Sequence, residues 1–273
     1  MKTTAKTALL MAAGAMALTA CANNSRSRTL AYVERPVEVL YNNAADELDK
    51  RDYSTAVLLF AEVERQHPYS EWARRAAVMS AYASYKQRRY DEAIASAQNF
   101  ISLNPGNENA AYAYYIIAMS YFEQIMDVGR DQRTTELAQA ALTDILLRYP
   151  ESEFARDASL KLDMVNDQLA GKEMAVGRWY LRRDQTLPAI NRFRRVITDF
   201  ETTSHAPEAL HRLVEAYLTL GLRSEAQAVG AVLGYNHPES QWYRDTYRLL
   251  TKEGLNPDDV PEKKRRSIFS RLF

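Results

Sequence analysis

The sequence predicts an all-α protein, a superhelical solenoid of about five helix pairs, on three observations. Only 9 Gly and 9 Pro interrupt 273 residues that are rich in Ala, Leu, Arg and Glu, a composition of helices with few turns. A boundary motif recurs as His67-Pro68-Tyr69-Ser70-Glu71-Trp72-Ala73, Tyr149-Pro150-Glu151-Ser152-Glu153-Phe154-Ala155 and His237-Pro238-Glu239-Ser240-Gln241-Trp242-Tyr243. Pro disfavours helix at the residue before it, and Ser supplies a cap oxygen for the next helix, so each motif stops one helix and starts another. Between boundaries, side-chain size repeats: Tyr53, Ala56, Phe60, Val63 and Pro68 match Tyr90, Ala93, Ala97, Phe100 and Pro105, 37 residues later.

At the N-terminus, Lys2 and Lys6 precede an apolar run from Thr7 to Ala20. The run is shorter than the roughly 20 residues needed to span a bilayer and ends in small residues, so residues 1–20 read as a cleaved export signal. Leu18-Thr19-Ala20-Cys21 resembles a bacterial lipobox. That resemblance implies that Cys21 is acylated and becomes the mature N-terminus; an ordinary secretory signal with an incidental cysteine is the alternative. Cys21 is the only cysteine, so no disulfide supports the fold. Ala22 follows it, not the Asp that commonly retains such lipoproteins at the inner membrane, which favours the outer one. Residues 21–35 read as a lipidated, flexible tether.

The solenoid is expected over residues 36–252, with about ten helices between Val37 and Leu250. The offsets recur as Ala138, Leu142, Ile145 and Pro150, as Ala189, Phe193 and Val196, and as Ala226, Gly230, Leu233 and Pro238. Asn104-Pro105-Gly106-Asn107 and Phe200-Glu201-Thr202-Thr203-Ser204 keep the boundary position without the motif. The pattern resembles the tetratricopeptide repeat, with a period slightly above its usual length of about 34. The third pair carries an insertion from Asp127 to Thr134. No Pro interrupts 152–183, which is open to two readings: one unusually long helix, or a helix interrupted at Gly171 or Gly177. Residues 253–273 form a tail with a Lys263-Lys264-Arg265-Arg266 run, either a short amphipathic helix or a disordered end.

Stacked helix pairs present a concave groove, and such repeats bind proteins or peptides. Tetratricopeptide spacing turns Tyr41, Tyr82, Tyr85, Tyr112, Tyr115 and Phe122 inward, with Arg75 and Lys86 beside them. Aromatic area with cations suits a peptide that has aromatic side chains and a terminal carboxylate; the competing reading packs these rings between repeats. Arg192, Arg194 and Arg195 form a basic run in which Arg192 and Arg195 share a face. It is open to two readings, a partner contact or a solvated face paired with acids such as Asp199. Charges of the insertion, Asp127, Arg130, Asp131 and Arg133, are expected to hold that loop in shape.

Basic and acidic residues balance at 35 each, which gives no electrostatic footprint for nucleic acid. The phosphate-binding, nucleophile-elbow and zinc motifs are missing from the sequence. His67 and His237 precede Pro at equivalent boundaries and read as turn residues; His205 and His211 fall on different faces. No enzymatic activity, metal or cofactor is expected beyond a covalent lipid on Cys21.

The stretch Leu160-Lys161-Leu162-Asp163-Met164-Val165-Asn166-Asp167-Gln168-Leu169-Ala170-Gly171-Lys172-Glu173 resembles the BamD (ComL) family. So do Val176-Gly177-Arg178-Trp179-Tyr180-Leu181, the following Ala189-Ile190-Asn191-Arg192-Phe193, the Tyr-Pro-x-Ser-x-Phe-Ala boundary and the insertion. The resemblance implies an outer-membrane lipoprotein of the β-barrel assembly machinery, anchored by its lipid and facing the periplasm. Its implied partners are the POTRA region of the barrel subunit BamA, reached through the C-terminal repeats and Arg192, and other Bam lipoproteins. Unfolded outer-membrane β-barrel proteins, bound through their C-terminal signals, complete the set. The alternative is a periplasmic repeat lipoprotein that scaffolds envelope or peptidoglycan proteins.

Overall fold

A computed structural model describes residues 34–260, so the predicted signal, Cys21 and the basic end of the tail lie outside the described residues. Within them the chain forms eleven α-helices, no strand and one 3₁₀ turn, Pro257–Asp259. The helices are α1 Val37–Asp49, α2 Tyr53–Gln66, α3 Glu71–Lys86, α4 Tyr90–Leu103, α5 Ala110–Phe122 and α6 Arg133–Arg148. They continue with α7 Glu153–Leu181, α8 Thr186–Asp199, α9 Ala206–Thr219, α10 Arg223–Asn236 and α11 Gln241–Lys252. Neighbours in sequence are neighbours in space. First helices also meet across repeats, α1 with α3, α3 with α5, α5 with α7 and α9 with α11. The expected five pairs are present, and α11 adds an eleventh helix to the expected ten.

Two backbone signatures repeat. Second helices end at His67, Asn104, Tyr149, Phe200 and His237, all with φ between −134° and −139° and with the N–H bonded to the carbonyl four residues back. The histidines are thus helix caps at two of five equivalent stops. First helices other than α5 end differently, with a left-handed residue at Arg51, Arg88, Asp184, Gly221 and Gly254. The next residue's N–H reaches five back in every case, as in Leu222 to Tyr217 at 2.8 Å and Leu255 to Leu250 at 2.9 Å, the hydrogen bond of a Schellman turn. Gly254 marks α11 as a sixth first helix. Among the described residues it is followed by the 3₁₀ turn, which packs on α10.

Side-chain size explains the pairing. Ala56, Ala93, Ala138, Ala189 and Ala226 are fully buried in the second helices, where a small residue lets the paired backbones close. One turn later sit Phe60, Ala97, Leu142, Phe193 and Gly230, so volume is redistributed from repeat to repeat. Ser70 and Ser240 cap α3 and α11 as expected, accepting from the N–H of Ala73 and Tyr243. Ser152 departs from the expectation: its hydroxyl donates back to the Tyr149 carbonyl instead.

Helix α7 is continuous over 29 residues. Gly177 does not break it but admits Phe193, since a Cβ there would lie 2.5 Å from the Phe193 ring. α7 is about twice the length of its neighbours; it packs on α5, α6 and its own partner α8, and reaches α9 through the ion pair of Arg178 with Glu208. The buried cluster from Ala118 to Leu250 is accordingly the largest, and two smaller clusters serve the first helices.

Candidate functional site

The aromatic trough is assembled by α1, α3, α5 and α7. Tyr41 lies 4.9 Å from Trp72 and 5.5 Å from Phe60. Tyr82 faces Tyr112 at 6.2 Å, and Tyr112 and Tyr115 both stack on Phe154, at 5.2 and 5.0 Å. Tyr85 meets Tyr90 at 5.9 Å rather than joining that ladder. All six predicted aromatic residues are half-buried. The rings therefore do both things the sequence left open: they pack between repeats and keep an edge on the surface. Each such ring pair is worth about 0.5–1.5 kcal/mol beyond area burial.

The sequence reading missed two of these rings and the polar end of the trough. Trp72 and Phe154 occupy the aromatic position of the boundary motif, a signal available in the sequence and there read only as punctuation. The Tyr115 hydroxyl donates to Asp157 Oδ2 at 2.6 Å, Lys161 Nζ donates to Asp157 Oδ1 at 2.8 Å, and that ammonium lies 5.5 Å over Phe122. Burial opposes the Asp157 charge, but hydrogen bonds from Lys161 and Tyr115 outweigh it and hold the carboxyl below its ordinary 3.8. Burial, with Asp157 next, pushes the Tyr115 phenol far up, and burial does the same for Tyr112. Burial and then the nearby Glu123 carboxylate push Tyr85 up to about 12. These phenols therefore stay protonated and present O–H donors.

Lys86 lies 5.5 Å over the Tyr82 ring and Arg75 lies 5.8 Å over Trp72. Among the described residues, neither pairs with a carboxylate. Lys161, by contrast, is committed to Asp157.

At the other end, α8 carries Arg192 and Arg195. Both reach Glu173, buried on α7, at 3.1 and 2.9 Å, and Arg195 also meets Asp199 at 3.3 Å. Their side chains remain 39% and 50% exposed, so each arginine is anchored from one side and open on the other. Arg178 pairs with Glu208 at 3.0 Å, and Glu208 and Glu215 both hold Arg212, which lies 5.5 Å over Trp242. His211, which shares no site with His205, is buried and bonded to Thr246 at 2.8 Å.

The long signature stretch acts as a brace. Asp167 accepts from the N–H and hydroxyl of Ser204 at the entrance to α9. Gln168 donates to the Met126 carbonyl, and Lys172 to those of Gly129 and Arg130. Of the insertion's own charges, Asp127 turns the loop by accepting from Gly129 N–H. Arg130, Asp131 and Arg133 make no side-chain bond to it, so the loop's carbonyls hold it more than its charges do. Between loop and α7 lies an open cleft of about 610 Å³, lined in part by Arg130, Lys172, Glu173 and Arg195.

No group of His, Cys, Asp and Glu among the described residues is arranged to hold a metal, and none of their helices is long and apolar enough to cross a membrane. The fold defines a tetratricopeptide-type solenoid.

Comparison with known proteins places that solenoid. The family model described as YfiO, an outer membrane lipoprotein, matches residues 33–233. The outer membrane protein assembly factor BamD of Caulobacter vibrioides is 59% identical, over 95% of this chain and 86% of that protein. BamD of Rickettsia prowazekii is 45% identical over 79% of this chain and 86% of its own, and that of Neisseria meningitidis serogroup A is 31% identical over 94% and 97%. The chain belongs to the BamD family of outer membrane protein assembly factors. Membership of that family sets aside the envelope or peptidoglycan scaffold, and it implies association with the outer membrane and its assembly machinery.

Proposed function

We propose that this assembly factor works without catalysis and without a cofactor, as a lipid-anchored adaptor on the periplasmic face of the outer membrane. The N-terminal trough receives the C-terminal signals of unfolded β-barrel proteins. The C-terminal repeats, through Arg192 and Arg195, bind the POTRA region of the barrel subunit BamA, with other Bam lipoproteins completing the complex. Cys21 carries the lipid.

The observation that carries the first part is the pairing of a ring ladder with two uncompensated cations, Arg75 and Lys86. Ring edges give contact area at low entropy cost, and the cations favour a terminal carboxylate. The test measures binding of fluorescent peptides that end in an aromatic residue. Replacing Tyr82 and Tyr115 with Ala should weaken binding about tenfold or more, and amidating the peptide's carboxylate should weaken it for the unaltered chain. Unchanged affinity in both cases returns these rings to packing alone.

The anchor is tested by Cys21→Ala, which should leave an unlipidated, mislocalised precursor. Normal acylation and membrane retention in that variant would remove the lipobox assignment.

A further inference from the structure

Phe154, Asp157, Lys161, Met164, Gln168 and Lys172 share one face of α7, because steps of three and four residues return to the same side of a helix. Apart from Met164, they reach α5 or the insertion that follows it. Phe154 stacks on Tyr112 and Tyr115, Asp157 accepts from Tyr115, and Lys161 lies over Phe122. Gln168 donates to the Met126 carbonyl, and Lys172 to those of Gly129 and Arg130. Met164 is 61% exposed, Leu160 one turn before it is 60% exposed, and Met126, beside Gln168, is 47% exposed.

These apolar side chains lie on the concave side. The second helices α6 and α8 hold α7 from the other side, through Asn166 bonded to Gln139 and Glu173 bonded to Arg192. At about 100° per residue, Asn166 and Glu173 stand about half a turn round α7 from Met164. The aromatic trough therefore continues past Phe154, over Asp157 and Lys161, to an aliphatic strip. Clustered exposed apolar side chains mark a binding surface, and methionine adapts to varied neighbours. The spacing indicates what would bind. Leu160 and Met164 are about 6 Å apart along the helix axis, and alternate side chains of an extended chain are about 6.7 Å apart on one side. From Phe154 to Lys172 the face runs about 27 Å, the reach of about eight extended residues.

We propose that the groove turns at Phe154 and runs along α7, where Leu160, Met164 and Met126 form a second subsite for an extended, unfolded segment with an apolar side chain at every second residue. The inference rests on the trough reading given above, because the segment enters from the trough. The subsite itself rests on the exposed apolar residues and their spacing. The trough reads the end of the peptide, and α7 reads the alternation of the residues before it.

The experiment compares three fluorescent peptides on the mature chain in detergent. A short one fills the trough, a second is lengthened by about eight upstream residues with alternating apolar side chains, and a third carries the same added residues in scrambled order. The alternating peptide should bind about tenfold tighter than the short one, and the scrambled one within about threefold of it. Leu160→Ser combined with Met164→Ser should abolish that gain and leave the short peptide's affinity unchanged. Brief peroxide treatment, read by mass spectrometry, needs no variant. Met126 and Met164 should oxidise in the free chain and be protected by the alternating peptide but not by the short one, while the buried Met119 and Met174 stay reduced throughout. Equal affinity for all three peptides overturns the α7 subsite and leaves the trough reading intact. An unaltered chain that binds none of them overturns the trough reading and this inference with it. A double variant that also loses the short peptide makes these residues supports of the trough and overturns the second subsite. Protection of Met126 and Met164 without peptide, rising with protein concentration, gives the strip to a second copy of the chain and overturns it as well.

Discussion

The two ends of the solenoid are built from one repeat and cohere differently. In the first four helices, the pairs Lys50–Glu47, Arg65–Glu62, Arg74–Glu71 and Arg89–Glu92 all run along single helices, while rings such as Tyr41, Trp72, Tyr82 and Tyr112 meet between helices. From α7 onward, pairs along single helices such as Lys161–Asp157 and Arg195–Asp199 continue, but ion pairs also join helices: Glu173 to Arg192 and Arg195, and Arg178 to Glu208. Ring contacts are insensitive to salt and tolerate sliding. Charged forks fix distance and orientation. The same backbone plan thus yields an adaptable end and a rigid end.

The sharpest test removes a fully buried ring from each end. Phe193→Ala and Phe60→Ala should each cost about 3–5 kcal/mol of unfolding free energy. Phe193 lies in the large cluster and Phe60 in a small terminal one, so the losses should spread differently. Hydrogen exchange should show Phe60→Ala opening the first pair alone, as a nearest-neighbour array allows, and Phe193→Ala opening several pairs from α7 onward. Equal spread would break the comparison.

Gly177→Ala should cost about 1–3 kcal/mol by overpacking, read from the denaturation midpoint, because the added methyl meets the Phe193 ring. Glu173→Gln comes next. Glu173 is buried but its arginines are half in water, so the buried-pair penalty must be discounted to about 1–2 kcal/mol. The loss should be greater at low salt than at high salt, whereas a ring truncation in the trough, Tyr82→Ala, should show no such dependence. Salt dependence in both would erase the distinction.

Acid titration offers the smallest effect and treats the two ends alike. At Glu215, burial raises the pKa, but bonds from His211 and Arg212 outweigh it and leave it below 4.5; Asp157 sits below 3.8 for the parallel reason given above. A depressed carboxylate contributes stability that is fully present above its unfolded value and is lost as pH falls through its folded one. Stability should therefore be flat in these two groups above about pH 5 and decline below it. Tyr115→Phe should lessen the decline from Asp157 and leave that from Glu215 unchanged, followed by carboxyl NMR shifts.

Local rules were legible in the sequence because they are short-range. Pro placement, cap residues and a 37-residue recurrence of small and large side chains located the stops, the paired helices and Ala56, Ala93, Ala138, Ala189 and Ala226 as their contact points. That Tyr82, Tyr112 and Tyr115 belong to one aromatic set followed from tetratricopeptide spacing. The sequence by itself could not determine which rings meet or which charges pair, because those contacts join different helices, from 19 residues apart for Arg192 and Glu173 to 42 for Tyr115 and Asp157, and depend on how successive repeats rotate. Tertiary structure alone stacked Tyr112 and Tyr115 on Phe154, brought Arg192 and Arg195 to one buried carboxylate, ran α7 unbroken past Gly171 and Gly177, and added α11, which ends at Gly254.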